Sequence, residues 1–383
     1  MPILLYILRS IFLLLNLGAA AWLILCKWVS HADVSVAPGY LSLLSFTCFF
    51  ALVANVFFIF FWLFSKKRKW LLLLSGLTIM VCWSVVKPVF GIHPFAGATS
   101  ENTSGIKVMT WNVHLFDLGE WTRDKTSNAK IIKLIKDENP DILCLQEFFM
   151  EEGGSGEPYA NIIRQLGYPY FKFSEESKMS KRIMNAKALR GEHILIGHAV
   201  FSKFPLQNDI RYPLGASHYN LLSVDVMVDS THIFNLNVTH LASVRFGEND
   251  INYLESLKEK GTQAEISQKS KSIIYRLRNA FSIRAHQANL IDSIKDETDY
   301  PIIICGDFND VPGSYVYQKV KGNLQDPFVA KGFGFGRTYR NIMPTLRIDY
   351  ILYDGDYLQP NSYRSPNVNL SDHRPVIADF SFK

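Results

Sequence analysis

Three apolar stretches, at about 3–26, 40–64 and 70–90, dominate the first hundred residues. Each is near the ~20 residues that a helix needs to cross the hydrocarbon core of a bilayer. Backbone in lipid has to satisfy its own polar groups, so stretches of this kind fold as helices. Charge is scarce along them. Residues 1–100 hold Arg9, Lys27, Lys66, Lys67, Arg68, Lys69 and Lys87 against one acid, Asp33. Arg9 interrupts the first stretch close to its end, where a long side chain can reach the interface. A cleaved signal peptide followed by soluble core helices is the competing reading. The apolar character does not stop after one short stretch, however, and no small-x-small cleavage site follows it. Three spans are expected. Lys66–Lys69 lies between the second and third, and short-loop positive charge stays in the cytoplasm. The N-terminus is then cytoplasmic and everything after the third span lies outside.

Removing the anchor leaves 33 Lys/Arg against 34 Asp/Glu in residues 101–383, a formal net charge of −1. The basic balance of the whole chain therefore belongs to the anchor. A surface built to grip a long polyanion is normally basic, which weighs against nucleic acid as the ligand without removing it. Residues 97–105, Gly97 to Gly105, are small and polar and read as a linker. The expected organisation is an anchor over 1–96, this linker, and a catalytic domain over 106–383.

From Ile106 the pattern becomes α/β. Ile106–Asn112 reads as a strand and Ala129–Lys136 as a helix stopped by Asn139-Pro140. A buried strand, Ile142–Leu145, then runs up to Glu147. Further strands are expected at 194–202, 219–228 and 233–240. In the last of these, Phe234, Leu236 and Val238 share one parity with His240, which places the imidazole on the inward row where the strand ends. Two segments look inserted, 174–190 and 243–284, the second with an amphipathic helical half. They read as solvated surface or as loops bordering a cleft. Cys26, Cys48, Cys82, Cys144 and Cys305 lie in apolar runs and read as buried thiols, not as a disulfide framework.

The chemistry is concentrated in short polar clusters at the ends of these runs. They are Thr110-Trp111-Asn112-Val113-His114, Leu145-Gln146-Glu147, Val238-Thr239-His240, Cys305-Gly306-Asp307-Phe308-Asn309, Arg347-Ile348-Asp349 and Ser371-Asp372-His373-Arg374. Carboxylates at the ends of buried strands need a cation or a reacting proton to balance them. Oxygen donors such as Asn112, Glu147 and Asp372 suit a hard cation, Mg²⁺ or Mn²⁺, better than zinc. Asp307 and Asn309 sit two apart on an extended segment and can face one side, although Asp-x-Asn-Asp before Val311-Pro312-Gly313 is also turn-like. Asp349 beside Arg347 and Asp372 beside Ser371 also have plain structural readings, as an ion pair and a loop cap.

The order Asn112, Glu147, His240, Asp307-x-Asn309, Asp349, Asp372-His373 resembles the endonuclease/exonuclease/phosphatase superfamily, over roughly Ile106 to Phe380. The resemblance implies a four-layer α/β (α+β) sandwich of two packed mixed sheets flanked by helices, here preceded by three transmembrane helices. It implies Glu147 as the leading metal ligand and Asp307 as the group that positions or deprotonates water. Asn309 would hold the phosphate or that water. Asp349 and His373 would form a carboxylate–imidazole pair, with His240 as a second imidazole at the phosphate. Asp372 would reach metal directly or through water. His114 stands where some relatives carry an acid. The expected activity is metal-dependent hydrolysis of a phosphate ester: a nucleic acid, a phospholipid head group or a small phosphoester. A non-catalytic protein keeping the fold is the remaining alternative, against which every expected catalytic position is filled. No protein partner is predicted.

Overall fold

The computed structural model describes residues 2–35, 39–65, 68–94, 105–118, 121–122, 124–152, 158–180, 192–215, 218–244, 263–341 and 345–383. Most of the linker, Lys66 and Lys67, and residues 181–190 and 245–262 of the inserted segments lie outside the described residues. The chain divides into two compact units. One holds Met1–Phe90 with Thr262–Ala285 and Val311–Lys319, and the other holds Gly91–Gly261, His286–Asp310 and Val320–Lys383. The grouping of 262–285 and 311–319 with the N-terminal helices departs from a simple split after residue 96.

In the first unit, Pro2–Val29 is one helix, and the 3-10 helix Gly39–Thr47 runs on into the helix Cys48–Leu63. Both are long and apolar enough to cross a membrane. The third stretch is not one long helix. A 3-10 turn, Lys69–Leu71, leads into the helix Leu72–Val81, and Cys82 leaves helical geometry before a short helix, Trp83–Val86. Expectation and structure differ here, because among the described residues only two helices meet the spanning length. The helices bury a few polar groups among apolar ones and leave large apolar side chains exposed. Asn16, Asn55 and Ser75 are fully buried, while Leu14, Phe64, Trp70 and Met80 are more than 60% exposed. The buried amide nitrogens find partners inside the bundle. Asn16 Nδ2 donates to Ser75 Oγ (2.7 Å), Trp62 Nε1 donates to Asn16 Oδ1 (2.9 Å), and Asn55 Nδ2 donates to the Ala19 carbonyl (2.8 Å).

The second unit is built on two mixed sheets, besides a short antiparallel pair, β1 (Gly91–Ile92) with β10 (Phe333–Gly334). The six-stranded sheet comprises β2 (Gly105–Asn112), β3 (Ile142–Glu151), β4 (Tyr170–Ser180), β5 (His193–Ser202), β12 (Leu358–Arg364) and β13 (Val376–Phe382), in the order β12-β13-β2-β3-β5-β4. The five-stranded sheet comprises β6 (Leu206–Pro213), β7 (Asn220–Met227), β8 (Ile233–His240), β9 (Ile302–Asp307) and β11 (Asp349–Tyr353), in the order β11-β9-β8-β7-β6. Each sheet has one parallel neighbour pair, β2 with β3 and β8 with β9. Their inner faces meet in one core, with Ile106, Val108, Ile142 and Cys144 from one sheet and Phe234, Leu236, Val238, Ile303 and Cys305 from the other. The parity read from the sequence for β8 is the parity of this core.

Helices Ser127–Glu138 and Pro158–Gln165 cover the outer face of the six-stranded sheet with Ile131, Ile135, Ala160 and Ile163. The first ends at Asn139, whose left-handed backbone (φ 44°) caps the helix before Pro140. On the five-stranded side, Gln287 in the helix Gln263–Ile294 accepts the Ala242 N–H through Oε1 (2.9 Å) and fixes the exit from β8.

Candidate active site

Strand register brings the site together. On the five-stranded sheet His240 pairs with Asp307, and Asp307 pairs with Asp349, so three reactive side chains stand abreast at the ends of β8, β9 and β11. Gly306 permits this register. It has φ 137°, and a Cβ there would sit 1.9 Å from the Thr239 carbonyl oxygen. From the facing sheet, Asn112 ends β2 on the inward row of Ile106 and Val108.

Glu147 gets there by a different route. Simple alternation along β3 would send it to the outer face with Leu143 and Leu145. The β3–β5 register shifts between Leu145 and Phe148, and Glu147 takes a left-handed backbone (φ 49°). This bulge turns both Gln146 and Glu147 inward. Gln146 Nε2 donates to Thr110 Oγ1 (3.0 Å), and Glu147 reaches Asn112. A left-handed non-glycine residue is costly, and such costs gather at functional positions.

The result is a continuous chain of side chains. Asp349 Oδ2 lies 2.9 Å from His373 Nδ1, and His373 Nε2 lies 3.6 Å from Asp307 Oδ2. Asn112 Nδ2 donates to Asp307 Oδ2 (3.2 Å) and to Glu147 Oε1 (3.1 Å). His240 Nε2 closes the group, 3.8 Å from Asp307 and 3.9 Å from Glu147. The backbone around His373 is pinned: Trp111 Nε1 donates to its carbonyl (3.0 Å), and its N–H donates to Ser371 Oγ (3.1 Å). Asn112 presents its amide nitrogen to both carboxylates and accepts the His114 N–H at Oδ1 (3.1 Å). In this orientation it holds two acids together and does not offer them an oxygen. Asn309 closes a turn on Asp307, its N–H donating to Oδ1 (2.8 Å), and its Nδ2 donates to the Leu241 carbonyl (2.9 Å).

Asp372 stands apart from this centre. Its carboxylate faces His114 Nδ1 at 3.3 Å and lines a neighbouring cavity of about 590 Å³ with Trp121, Tyr339 and Arg340. His114, Leu115, Phe116 and Asp117 all have left-handed backbones (φ 45°, 54°, 52° and 59°). Such a run costs on the order of 1–2 kcal/mol per residue and needs strong anchors. Asp117 accepts from the Thr122 N–H (3.0 Å), the Thr122 hydroxyl and the Ser127 hydroxyl, and Phe116 stacks on Tyr159. The turn sets the His114 ring flat against Trp121, 3.9 Å between centroids.

Two functional candidates escape the motif reading, Glu176 and His198. Glu176 is buried on β4, with Oε2 3.5 Å from His240 Nδ1 and Oε1 3.3 Å from His198 Nε2. His240 thus has its own carboxylate partner, as His373 has Asp349. The sequence signal is faint, since Glu176 sits in a polar run, Ser174-Glu175-Glu176-Ser177, and the register shift between Glu175 and Ser177 hides its parity.

Electrostatics follow from this packing. Burial lowers His240, but Glu176, Asp307 and Glu147 outweigh it and raise the imidazole to about 10. His373 is likewise held well above its ordinary value against burial, by Asp349, Asp307 and Asp372. Burial pushes Asp307 up, His373 and His240 pull it down and Asp349 raises it, leaving it at about 6. An acid of that strength between two imidazoliums can exchange a proton near neutral pH.

The family model for the Endonuclease/Exonuclease/phosphatase family matches residues 109–373, and one described as a Domain of unknown function (DUF8431) matches residues 9–89. No curated protein matches the chain. Among solved structures, the human Nocturnin catalytic domain with bound sulfate anion is similar in fold, with 22% identity and a TM-score of 0.51, over 73% of this chain and 95% of that one. An endonuclease/exonuclease/phosphatase from Beutenbergia cavernae (19% identity, 72% of this chain and 71% of that one) has a TM-score of 0.47. ANGEL2, a 2′,3′-cyclic phosphatase (18% identity, 73% and 96%), has a TM-score of 0.48.

Proposed function

The chain belongs to the endonuclease/exonuclease/phosphatase family, and from that premise we propose a membrane-anchored, divalent-metal-dependent hydrolase whose catalytic unit lies outside the cytoplasm. Phosphoester hydrolysis follows from the family. The observation that carries the rest is the unbroken sequence Asp349, His373, Asp307, Asn112, Glu147, closed by His240.

Enzymes of this family are generally divalent-metal dependent. The donors fit a hard cation: Glu147 and Asp307 direct carboxylate oxygens at one amide, and the nearby thiols of Cys144 and Cys305 are sealed in the core. Asp307, Asp349 and His373 also place ligand atoms within 4.8 Å of one another. Asp349 and His373 are committed to each other, however, so the assignment favours Glu147; Asn112 would join it only with its amide turned to present Oδ1, and Asp372, which faces His114, would reach the ion only through water. A bound cation would neutralise phosphate charge and acidify a coordinated water.

The chain's own groups divide the remaining work. Asp307 orients the attacking water and takes its proton. His373, fixed by Asp349, and His240, fixed by Glu176, hold the phosphate oxygens as imidazoliums, and His373 manages the proton at the leaving oxygen. Asn309 keeps the Asp307 loop against the end of β8 and steadies the phosphate or the water. Asp372 orders His114 at the adjoining cavity. The anchor reading is supported by the two long apolar helices and their buried polar contacts. The charge bias of Arg68, Lys69 and their two preceding lysines supports the orientation, which also requires the broken third stretch to cross.

The near-neutral catalytic unit and the anchor favour a phospholipid head group or small phosphoester, while nuclease activity remains the second reading. Screening the purified chain with Mg²⁺ against DNA, RNA, sphingomyelin, inositol phosphates and bis(p-nitrophenyl) phosphate tests this. Hydrolysis of one class is the expected result. Failure on every class contradicts the proposal.

A further inference from the structure

Beside His373 lies a group of positive charge that the catalytic reading does not use. Tyr339 forms a β-bridge with His373, and the two flanking backbone bonds run from Arg340 N to the Asp372 carbonyl (2.9 Å) and from Arg374 N to the Thr338 carbonyl (2.7 Å). This ladder gathers Arg337, Arg340 and Arg374, all half-buried. Among the described residues none of the three forms an ion pair with a carboxylate. Arg337 Nε donates to the Tyr339 carbonyl (2.9 Å), its Nη2 donates to the Arg340 carbonyl, and Arg340 Nη1 donates to the Ser371 carbonyl (3.2 Å). Arg374 Nε has no hydrogen-bond partner. Burial and then Arg337 lower Arg340, with only Asp372 acting in the opposite sense. Arg374 is lowered by burial, Arg337 and Arg340. Arg364, nearby, is already paired with Glu138. Arg337 and Arg374 line a cavity of about 360 Å³, and Arg340 lines the 590 Å³ cavity shared with Asp372.

Guanidiniums that repel one another and are partly removed from water are unfavourable unless an anion joins them, and their planar forks match a phosphate. A unit whose formal net charge is near zero has concentrated charge here. We propose that Arg337 and Arg374, which share the 360 Å³ cavity, form a second anion site, with Arg340 adding positive charge from the neighbouring cavity, and that it receives a phosphate other than the one being cut. The substrate is then a phosphoester bearing at least one further phosphate. This inference rests on the hydrolase reading above and narrows its substrate class. Nucleotide and inositol compounds share the required chemistry.

The test is calorimetric binding in chelator, where turnover does not intervene. Thymidine 3′,5′-bisphosphate is compared with thymidine 5′-phosphate, and inositol 1,4-bisphosphate with inositol 1-phosphate. At least one bisphosphate should bind about tenfold tighter than its monophosphate, the size of one charge-assisted contact. Arg374→Gln combined with Arg337→Gln should reduce that ratio to near one, and Arg374→Lys, which keeps the charge, should retain part of it. The pair showing the larger ratio identifies the source. Ratios near one for both pairs in the wild type overturn the proposal. So do glutamine variants that melt at lower temperature with the ratio unchanged, which would leave the arginines as loop ties. If no ester is hydrolysed but the bisphosphate ratio holds, the hydrolase reading fails and the anion site stands.

Discussion

Asp349 and His373 meet at 2.9 Å between Oδ2 and Nδ1, both almost fully buried, and the other imidazole nitrogen faces Asp307 at 3.6 Å. The contact fixes which nitrogen is turned toward the centre and makes the two residues one functional unit.

Removal of either member should therefore cost nearly what removal of both costs. His373→Ala and Asp349→Ala should each lower kcat/KM by on the order of 10²–10⁴, and the double variant should be little worse than His373→Ala alone. A kinetic double-mutant cycle measures this. Multiplicative losses would show independent roles, and an Asp349→Ala variant with near-normal turnover but a lower melting temperature would reduce Asp349 to a structural acid. Arg347, its neighbour in sequence, pairs instead with Asp326 at 2.8 Å, so the ion-pair reading of Asp349 has lost its partner.

Glu176 and His240 predict a pH window for stability. Burial raises Glu176, but its interactions with His198 and His240 prevail and lower it from 4.5 to about 2. Its contribution is present above 4.5 and is lost as pH falls through about 2. His240 is raised from 6.5 to about 10, so its contribution is complete below 6.5 and is lost as pH rises through about 10. The stability gap between wild type and Glu176→Gln, measured by urea unfolding, should be widest between pH 4.5 and 6.5 and should shrink on both sides. A gap that is flat or grows toward pH 10 contradicts the pairing.

The topology predicts that a reporter active only outside the cytoplasm, fused after Lys383, will be active. A reporter active only inside, fused at the same place, should be silent. The reverse pattern would show that the charge bias has been misread or that the broken third helix does not cross.

How much of this is legible in the sequence depends on regularity. β8 could be read to the residue because period-two alternation runs unbroken from Phe234 to His240. β9 and the Asp307 cluster are legible from a different signal, the continuous apolar run Ile302–Cys305 ahead of Gly306 and Asp307, with Gly306 marking the close approach of β8. The apolar run before Glu147 marks it in the sequence, yet its inward direction depends on a bulge that alternation does not encode. Glu176 stayed hidden because another register shift falls beside it. The left-handed turn at His114–Asp117 has no sequence mark, since it contains no glycine. The third apolar stretch has the composition of a span, but Cys82 breaks it, and composition does not register a local break. The allocation of 262–285 and 311–319 to the N-terminal unit depends on long-range packing, which periodicity does not carry.

The central claim is that Glu147 anchors a catalytic divalent cation. Glu147→Gln keeps the size of the side chain and removes its charge. Mn²⁺ titration of both proteins, followed by turnover of the substrate found in the screen and by calorimetry, addresses the claim most directly. Chelator should silence the wild type, and Mn²⁺ or Mg²⁺ should restore it. Glu147→Gln should melt near the wild-type temperature, bind Mn²⁺ at least about tenfold more weakly and lose at least about 10²-fold in turnover. Full wild-type activity in excess chelator, or a Glu147→Gln protein that binds Mn²⁺ and turns over like the wild type, would contradict it.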